Sequence, residues 1–187
     1  MPTTASLILA ALLLGRSSSG GDLPPGKQAV FLARVIAYDG NLVARAGPTV
    51  NIAILAKKGD KESELMSEAI LKAFSPLESA TLLGLSVKVV RVYFAGREAL
   101  ERAVRDGGID TFYVCSGLDA SLPEIKSVSR QRKVLTVASQ EGHLKLGLSL
   151  GVFEVGGKNT IMVNLDASRE EGASFGPELL RLATVVR

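Results

Sequence analysis

TVNIAILAKKGDKESELMSEAILKAF, residues 49–74, is the stretch whose reading decides the fold. Its first eight residues, Thr49–Ala56, are β-rich and mostly apolar. That composition suits a strand covered on both faces, because no position has to meet water. Lys57, Lys58, Gly59 and Asp60 then make a polar turn. From Lys61 to Phe74, the residues Leu65, Met66, Ala69, Ile70, Ala73 and Phe74 recur at helical spacing and predict one buried stripe. Ser75-Pro76 ends the helix.

Reading outward, the same alternation repeats. Residues 87–94 (VKVVRVYF) are a second strand, and Lys88 and Arg91 place it nearer a sheet edge than the first. Residues 97–105 read as a helix stopped by Gly107 and Gly108. Residues 111–115 (TFYVC) and 134–138 (VLTVA) are two more short apolar strands. Leu122, Ile125 and Val128 mark the helix between them. Strands and helices that alternate over short connections build a parallel sheet through right-handed crossovers. Two β runs follow, 148–155 and 159–163, separated by Gly156, Gly157 and Lys158. Gly-Gly between β runs signals a hairpin, which extends the sheet in antiparallel fashion. Residues 166–171 give a turn or two of helix closed by Gly172. Residues 177–185 read as a last helix, with Leu179, Leu180, Leu182 and Val185 available for packing. Upstream, a helix from about Lys27 sets Val30, Phe31, Val35 and Ile36 on one face, Gly40 and Asn41 stop it, and residues 42–46 are an irregular connector. The expected class is α/β: one domain over residues 27–187, with a mainly parallel sheet of about four strands and a C-terminal antiparallel hairpin.

Residues 5–15 (ASLILAALLLG) are an unbroken apolar run. A helix needs about 20 such residues to span a bilayer. With Ser17, Ser18, Ser19 and Gly20 behind it, the run suits a signal peptide over residues 1–20. Residues 21–26 then form a linker, and the mature chain carries no membrane span.

Composition narrows the function. The 187 residues are 47% hydrophobic and 22% charged, as in ordinary globular domains. Aromatics are 5% with no Trp, and the net charge is only +3, so no nucleic-acid partner is expected. One Cys and one His exclude an internal disulfide and a multi-histidine metal site. No nucleotide-binding glycine motif occurs, and no cofactor is expected. Cys115 ends an apolar strand and reads as a core thiol. His143 reads as a surface residue, with Glu141 its only local carboxylate. Arg130, Arg132 and Lys133 complement the dipole at a helix C-terminus. The alternating pattern is also similar to one lobe of a periplasmic solute-binding protein. Ligands of parallel sheets bind outside the carboxyl ends of the strands. That makes Lys57, Lys58, Gly59, Ser116, Gly117, Ser139 and Glu141 the crevice candidates for a small ligand. Exposed sheet edges pair with other chains, which makes Gly156, Gly157 and Lys158 the candidates for meeting a partner.

The last third of the chain adds a resemblance. VLTVA leads through a Gly-containing segment into the hairpin, and Asn164 then opens N-x-x-A-S-R-x-x-G, with Ala167, Ser168 and Gly172 in place. Leu179, Leu180, Leu182 and Ala183 occupy a closing LL-R-L-A-x-V. This stretch resembles the C-terminal signature of the YfiR family, and FLARVIAYD at 31–39 resembles that family's N-terminal helix. Two features depart from it. Asp39-Gly40-Asn41 stands where the family often shows Trp-Pro, and a single cysteine cannot form the disulfide pairs of some members. The resemblance implies an exported, periplasmic, non-enzymatic regulator with a Rossmann-like three-layer fold. It further implies a partner: a membrane-bound signalling protein, such as a diguanylate cyclase or a sensor kinase, whose repression ties envelope conditions to cyclic di-GMP and biofilm formation. A homodimer is a further expectation.

Overall fold

A computed structural model describes residues 23–79 and 81–186. The expected signal peptide lies outside the described residues. The strands are β1 (Thr49–Ala56), β2 (Thr81–Leu82), β3 (Leu85–Tyr93), β4 (Thr111–Val114), β5 (Leu135–Ala138), β6 (Leu150–Val155), β7 (Lys158–Asn164) and β8 (Ala183–Val186). They form one sheet in the order β2-β3-β1-β4-β5-β6-β7-β8. β3, β1, β4, β5 and β6 run parallel. β2 and β7 oppose their neighbours β3 and β6, and β8 runs parallel to β7.

The helices are α1 (Pro25–Ile36), α2 (Leu42–Ala46), α3 (Lys61–Phe74), α4 (Arg97–Gly107), α5 (Leu122–Arg132), α6 (Glu141–Lys145), α7 (Leu165–Glu170) and α8 (Pro177–Leu180). Strand alternation sorts the core into two layers. Val50, Ile52 and Ile54 of β1, with Tyr113 and Cys115, pack under Leu32, Val35 and Ile36 of α1 and Ile70 and Phe74 of α3. Ala53, Leu55, Phe112 and Val114 point the other way, onto Leu100 and Val104 of α4 and Ile125 and Val128 of α5. Helices therefore cover both faces of a mainly parallel sheet, and the three-layer α/β architecture is as expected. A buried chain of bonds ties α1 down: Tyr113 Oη donates to Gln28 Oε1 at 2.6 Å, and Gln28 Nε2 donates to the Leu23 carbonyl at 2.9 Å.

Several details differ from the sequence expectations. Only Pro177–Leu180 is helical, and the segment expected to continue that helix forms β8. Thr184, Val185 and Val186 are β-formers, and the free edge of β7 offers them a backbone ladder that outweighs the helical leucine spacing. Leu182, expected to pack, is 66% exposed. Residues 42–46 are a short helix with Leu42 buried, not an irregular connector. The linker ends early: Leu23 is in the core and α1 begins at Pro25, a residue suited to a first helical turn. Val30 and Leu65 are exposed rather than buried. On α3 the inward row is Ser63, Ser67, Ile70 and Phe74. Both serine hydroxyls are satisfied locally, so these small residues can face the sheet.

Candidate functional site

The loops after β1, β4 and β5 converge beyond the carboxyl ends of the parallel strands. The first is capped by the chain itself. Asp60 Oδ1 accepts from the Ser63 amide at 3.0 Å, Glu64 Oε1 from the Gly59 amide at 2.9 Å, and Ser63 Oγ from the Lys57 amide at 2.9 Å. The N–H groups an anion would need are thus largely taken by side chains of the loop. Lys57, Lys58 and Gly59 are left as an exposed turn. Gly117, at φ +78°, lies against this loop: a β-carbon there would sit 2.7 Å from Asp60 Oδ2. The β1 and β4 loops therefore touch, and only glycine fits their contact.

Ser116 and Ser139 follow β4 and β5 and are 3% and 1% exposed. Neither hydroxyl has a hydrogen-bond partner among the described residues. Glu141 is half-buried and pairs with Lys145 at 2.9 Å within α6. His143 corrects the surface reading, being 1% exposed. The short α6 turns both His143 and Leu144 inward, which its polar flanks conceal in the sequence. Its carboxylate is not Glu141 but Asp119, whose Oδ1 lies 3.2 Å from His143 Nε2. Asp119 comes from the loop after β4, so this contact joins the second and third loops.

A Ser-His-Asp relay needs a hydroxyl on the other ring nitrogen. His143 Nδ1 has no hydrogen-bond partner among the described residues. Cys115 is fully buried, and burial pushes its thiol up to about 12, which keeps it protonated and unreactive. Among the described residues no group of three or more His, Cys, Asp or Glu could hold a metal ion.

The hairpin belongs to the same end of the molecule. β5 stops at Ala138, paired with Gly151, while β6 runs on to Val155. Four further residues carry the hairpin about 13 Å past the end of β5. Gly156 and Gly157 both have positive φ, as a tight hairpin turn requires. Val155, Gly156, Gly157 and Lys158 are all exposed.

The Asn164–Gly172 motif sits at the opposite, amino end of the parallel strands. Asn164 Oδ1 accepts from the Ala167 amide at 3.0 Å and so starts α7. Ser168 Oγ donates to the Leu165 carbonyl at 3.0 Å, and Leu179 is buried while Leu180 is half-buried. The Asp39-Gly40-Asn41 departure is part of the same joint. Asp39 accepts from the amides of Asn41 and Ser174 and pairs with Arg45 at 2.6 Å. Asn41 Nδ2 donates to the Gly172 carbonyl, and Arg45 Nη1 donates to the Lys133 and Asp110 carbonyls. Next to this joint lies an open cleft of about 420 Å³ lined by Arg45, Asn51, Asp110, Arg132 and Lys133. Its cations are already engaged: Arg45 with Asp39, Arg132 with Glu101 at 3.6 Å, and Lys133 Nζ with the Glu170 carbonyl.

A sequence profile described as YfiR/HmsC-like matches residues 28–184. No curated protein matches the chain significantly. Among solved structures, the chain is similar to an ABC domain in complex with L-Trp from Streptococcus pneumoniae. That pair is 14% identical over 88% of this chain and 60% of the other, with a TM-score of 0.59. A ligand-free, open substrate-binding protein with adhesive properties from Clostridium difficile is 16% identical over 79% and 57%, with a TM-score of 0.55. A conserved domain protein from Vibrio cholerae is 14% identical over 89% and 62%, with a TM-score of 0.59. At these identities the likeness is one of fold. The chain spans about 60% of the length of these structures.

Proposed function

The chain belongs to the YfiR/HmsC-like family, and from that premise we propose that it is an exported periplasmic regulator. It binds the periplasmic face of a membrane-bound signalling protein, such as a diguanylate cyclase or a sensor kinase, and holds it inactive until an envelope signal releases it. The observation that carries this reading is the family match over residues 28–184. Cys115 and His143 are buried without forming a nucleophile–base pair. No helix of the described residues is long and apolar enough to cross a membrane.

Regulation by binding requires different affinities for the partner's two states. A hundredfold difference corresponds to about 2.7 kcal/mol, which a few well-packed side chains supply. The contact surface in this reading is the projecting hairpin tip, with Val155 as its apolar anchor and Gly156, Gly157 and Lys158 around it. Copies of the chain could pair along an exposed sheet edge in the same way. The test is co-purification from host membranes together with deletion of the gene. Deletion is expected to raise cyclic di-GMP or the output of a neighbouring sensor. No change in either, and no membrane protein retained, would end the reading.

A second reading, a small-ligand module, is favoured by one observation: the buried hydroxyls of Ser116 and Ser139 at the crevice, without a partner among the described residues. Buried polar groups in folded proteins nearly always have a partner, protein or otherwise. A polar ligand bridging them would raise the melting temperature. A thermal-shift screen of polar metabolites with no hit in the wild type would count against it, as would hits unchanged by Ser116→Ala and Ser139→Ala.

A further inference from the structure

Glu171 is fully buried, 0% exposed, yet no cation among the described residues pairs with it. Its carboxyl group sits between α5 and the sheet, just after α7. Oε2 accepts from the Thr136 amide at 2.7 Å and from Ser149 Oγ. Oε1 accepts from Ser129 Oγ at 2.9 Å and from Thr136 Oγ1 at 2.9 Å. Thr136 Oγ1 in turn accepts from the Ser149 amide at 2.9 Å. One side chain thus links α5, β5, β6 and the segment that leads to α8 and β8.

The charged groups of the surrounding elements face elsewhere. From α5, Lys126 Nζ donates to the Leu146 carbonyl, and Arg130 lies 2.7 Å from Glu170. Arg132 faces Glu101, and Lys133 Nζ, just past α5, donates to the Glu170 carbonyl. From α7, Arg169 faces Asp166, and from α2, Arg45 is held by Asp39. β5 presents Thr136 and the residue before β6 presents Ser149 to the carboxyl group, and His143 of α6 is turned to Asp119. Burial without a counter-charge pushes the Glu171 carboxyl up to about 7 despite four hydrogen-bond donors.

Ser129 supplies the second half of the device. Its Oγ lies within reach of two acceptors, Glu171 Oε1 at 2.9 Å and the Lys126 carbonyl at 3.0 Å. When Glu171 is ionised, the Ser129 hydroxyl donates to it. When Glu171 is protonated, its own O–H donates to Ser129 Oγ, and the Ser129 hydroxyl turns to Lys126. Neither state leaves a buried polar group unpaired.

We propose that Glu171 and Ser129 form a proton-operated latch, which holds the C-terminal segment against α5 and the sheet more firmly when Glu171 carries a proton. The proton comes from solvent and returns to it. The sign follows from linkage. The folded-state value lies above the ordinary value of 4.5, so the folded state binds the proton more tightly than the unfolded chain does. The latch's contribution is complete below about pH 4.5 and is lost as pH rises through about 7. A domain facing the cell exterior would thereby register acidification, independently of which partner it holds.

The test uses the purified protein alone, so its failure and failure of the regulatory reading are distinguishable. Chemical unfolding is measured across about pH 5 to about pH 8 for the wild type and for Glu171→Gln, which imitates the protonated side chain. The latch predicts that the wild-type unfolding equilibrium constant rises at least about tenfold more over that interval than the variant's. It also predicts that the side-chain carboxyl carbon-13 resonance of Glu171 titrates within the same interval. A resonance already fully ionised at about pH 5 would overturn the proposal, as would parallel curves for the two proteins. If Glu171→Gln does not fold, the wild-type resonance decides alone.

Discussion

Gly151 has no room for a β-carbon. One added there would lie 2.3 Å from Phe153 Cζ and 3.2 Å from Leu144 Cδ1, because the Phe153 ring folds back across β6. Gly151→Ala is expected to cost about 1–3 kcal/mol through overpacking. Phe153→Leu in the same chain is expected to recover part of that loss, as a double-mutant cycle by denaturant unfolding would show. Additive losses would mean that the ring is not the obstacle. Asp39 is a second sensitive residue. Its side chain is 0% exposed and is the carboxylate paired with Arg45, whose own side chain is 12% exposed. Asp39→Ala leaves that guanidinium buried without its counter-charge, at a cost of about 3 kcal/mol or more. A loss below about 1 kcal/mol in thermal or chemical unfolding would refute this account of the joint. Cys115→Ser is expected to cost about 1–3 kcal/mol, since a hydroxyl in that apolar layer needs a partner, and to leave partner binding intact. Rapid reaction of the native protein with a thiol reagent would contradict the burial.

At the scale of elements, the legible parts are those whose causes are local. β1 and α3 follow from an apolar run, a polar turn and a periodic stripe, and the Asp60 cap lies within that same stretch. The β6–β7 hairpin follows from Gly156-Gly157. What could not be read depends on distant partners. The carboxylate of His143 lies 24 residues away, and Ser129 meets Glu171 across 42. β8 was hidden because four residues of strand exist only through the edge of β7, while their leucine neighbours mimic a helix. Of the crevice candidates, the structure brings Gly117 against the β1 loop and buries Ser116 and Ser139, whereas Glu141 is tied to Lys145. The hairpin tip makes a prediction of its own. Val155→Asp changes an exposed residue and is expected to alter stability by less than about 0.5 kcal/mol. The same change is expected to weaken retention of the membrane partner. An unfolding midpoint clearly below wild type would show that the tip is structural instead.

For the molecule as a whole, the two ends of the sheet have different characters. The amino end is closed by the Asn164–Gly172 motif, the Asp39–Arg45 pair and the buried Glu171, which lock the C-terminal segment to the body. The carboxyl end carries the three convergent loops, the projecting hairpin and the buried hydroxyls of Ser116 and Ser139, which have no hydrogen-bond partner among the described residues. Asn164, Ser168 and Leu179 of the family signature are therefore structural fasteners, and in the proposed reading the surface that meets another protein lies at the far end of the sheet. The measurement that tests this most directly is site-specific photo-crosslinking in the native host, with the probe at Val155 or Lys158 and a control probe at Asp106, exposed in the last turn of α4. The account predicts a covalent adduct with one inner-membrane signalling protein from the two hairpin positions and none from Asp106. Adducts from Asp106 alone, or none from any position in cells where the protein is active, would contradict it.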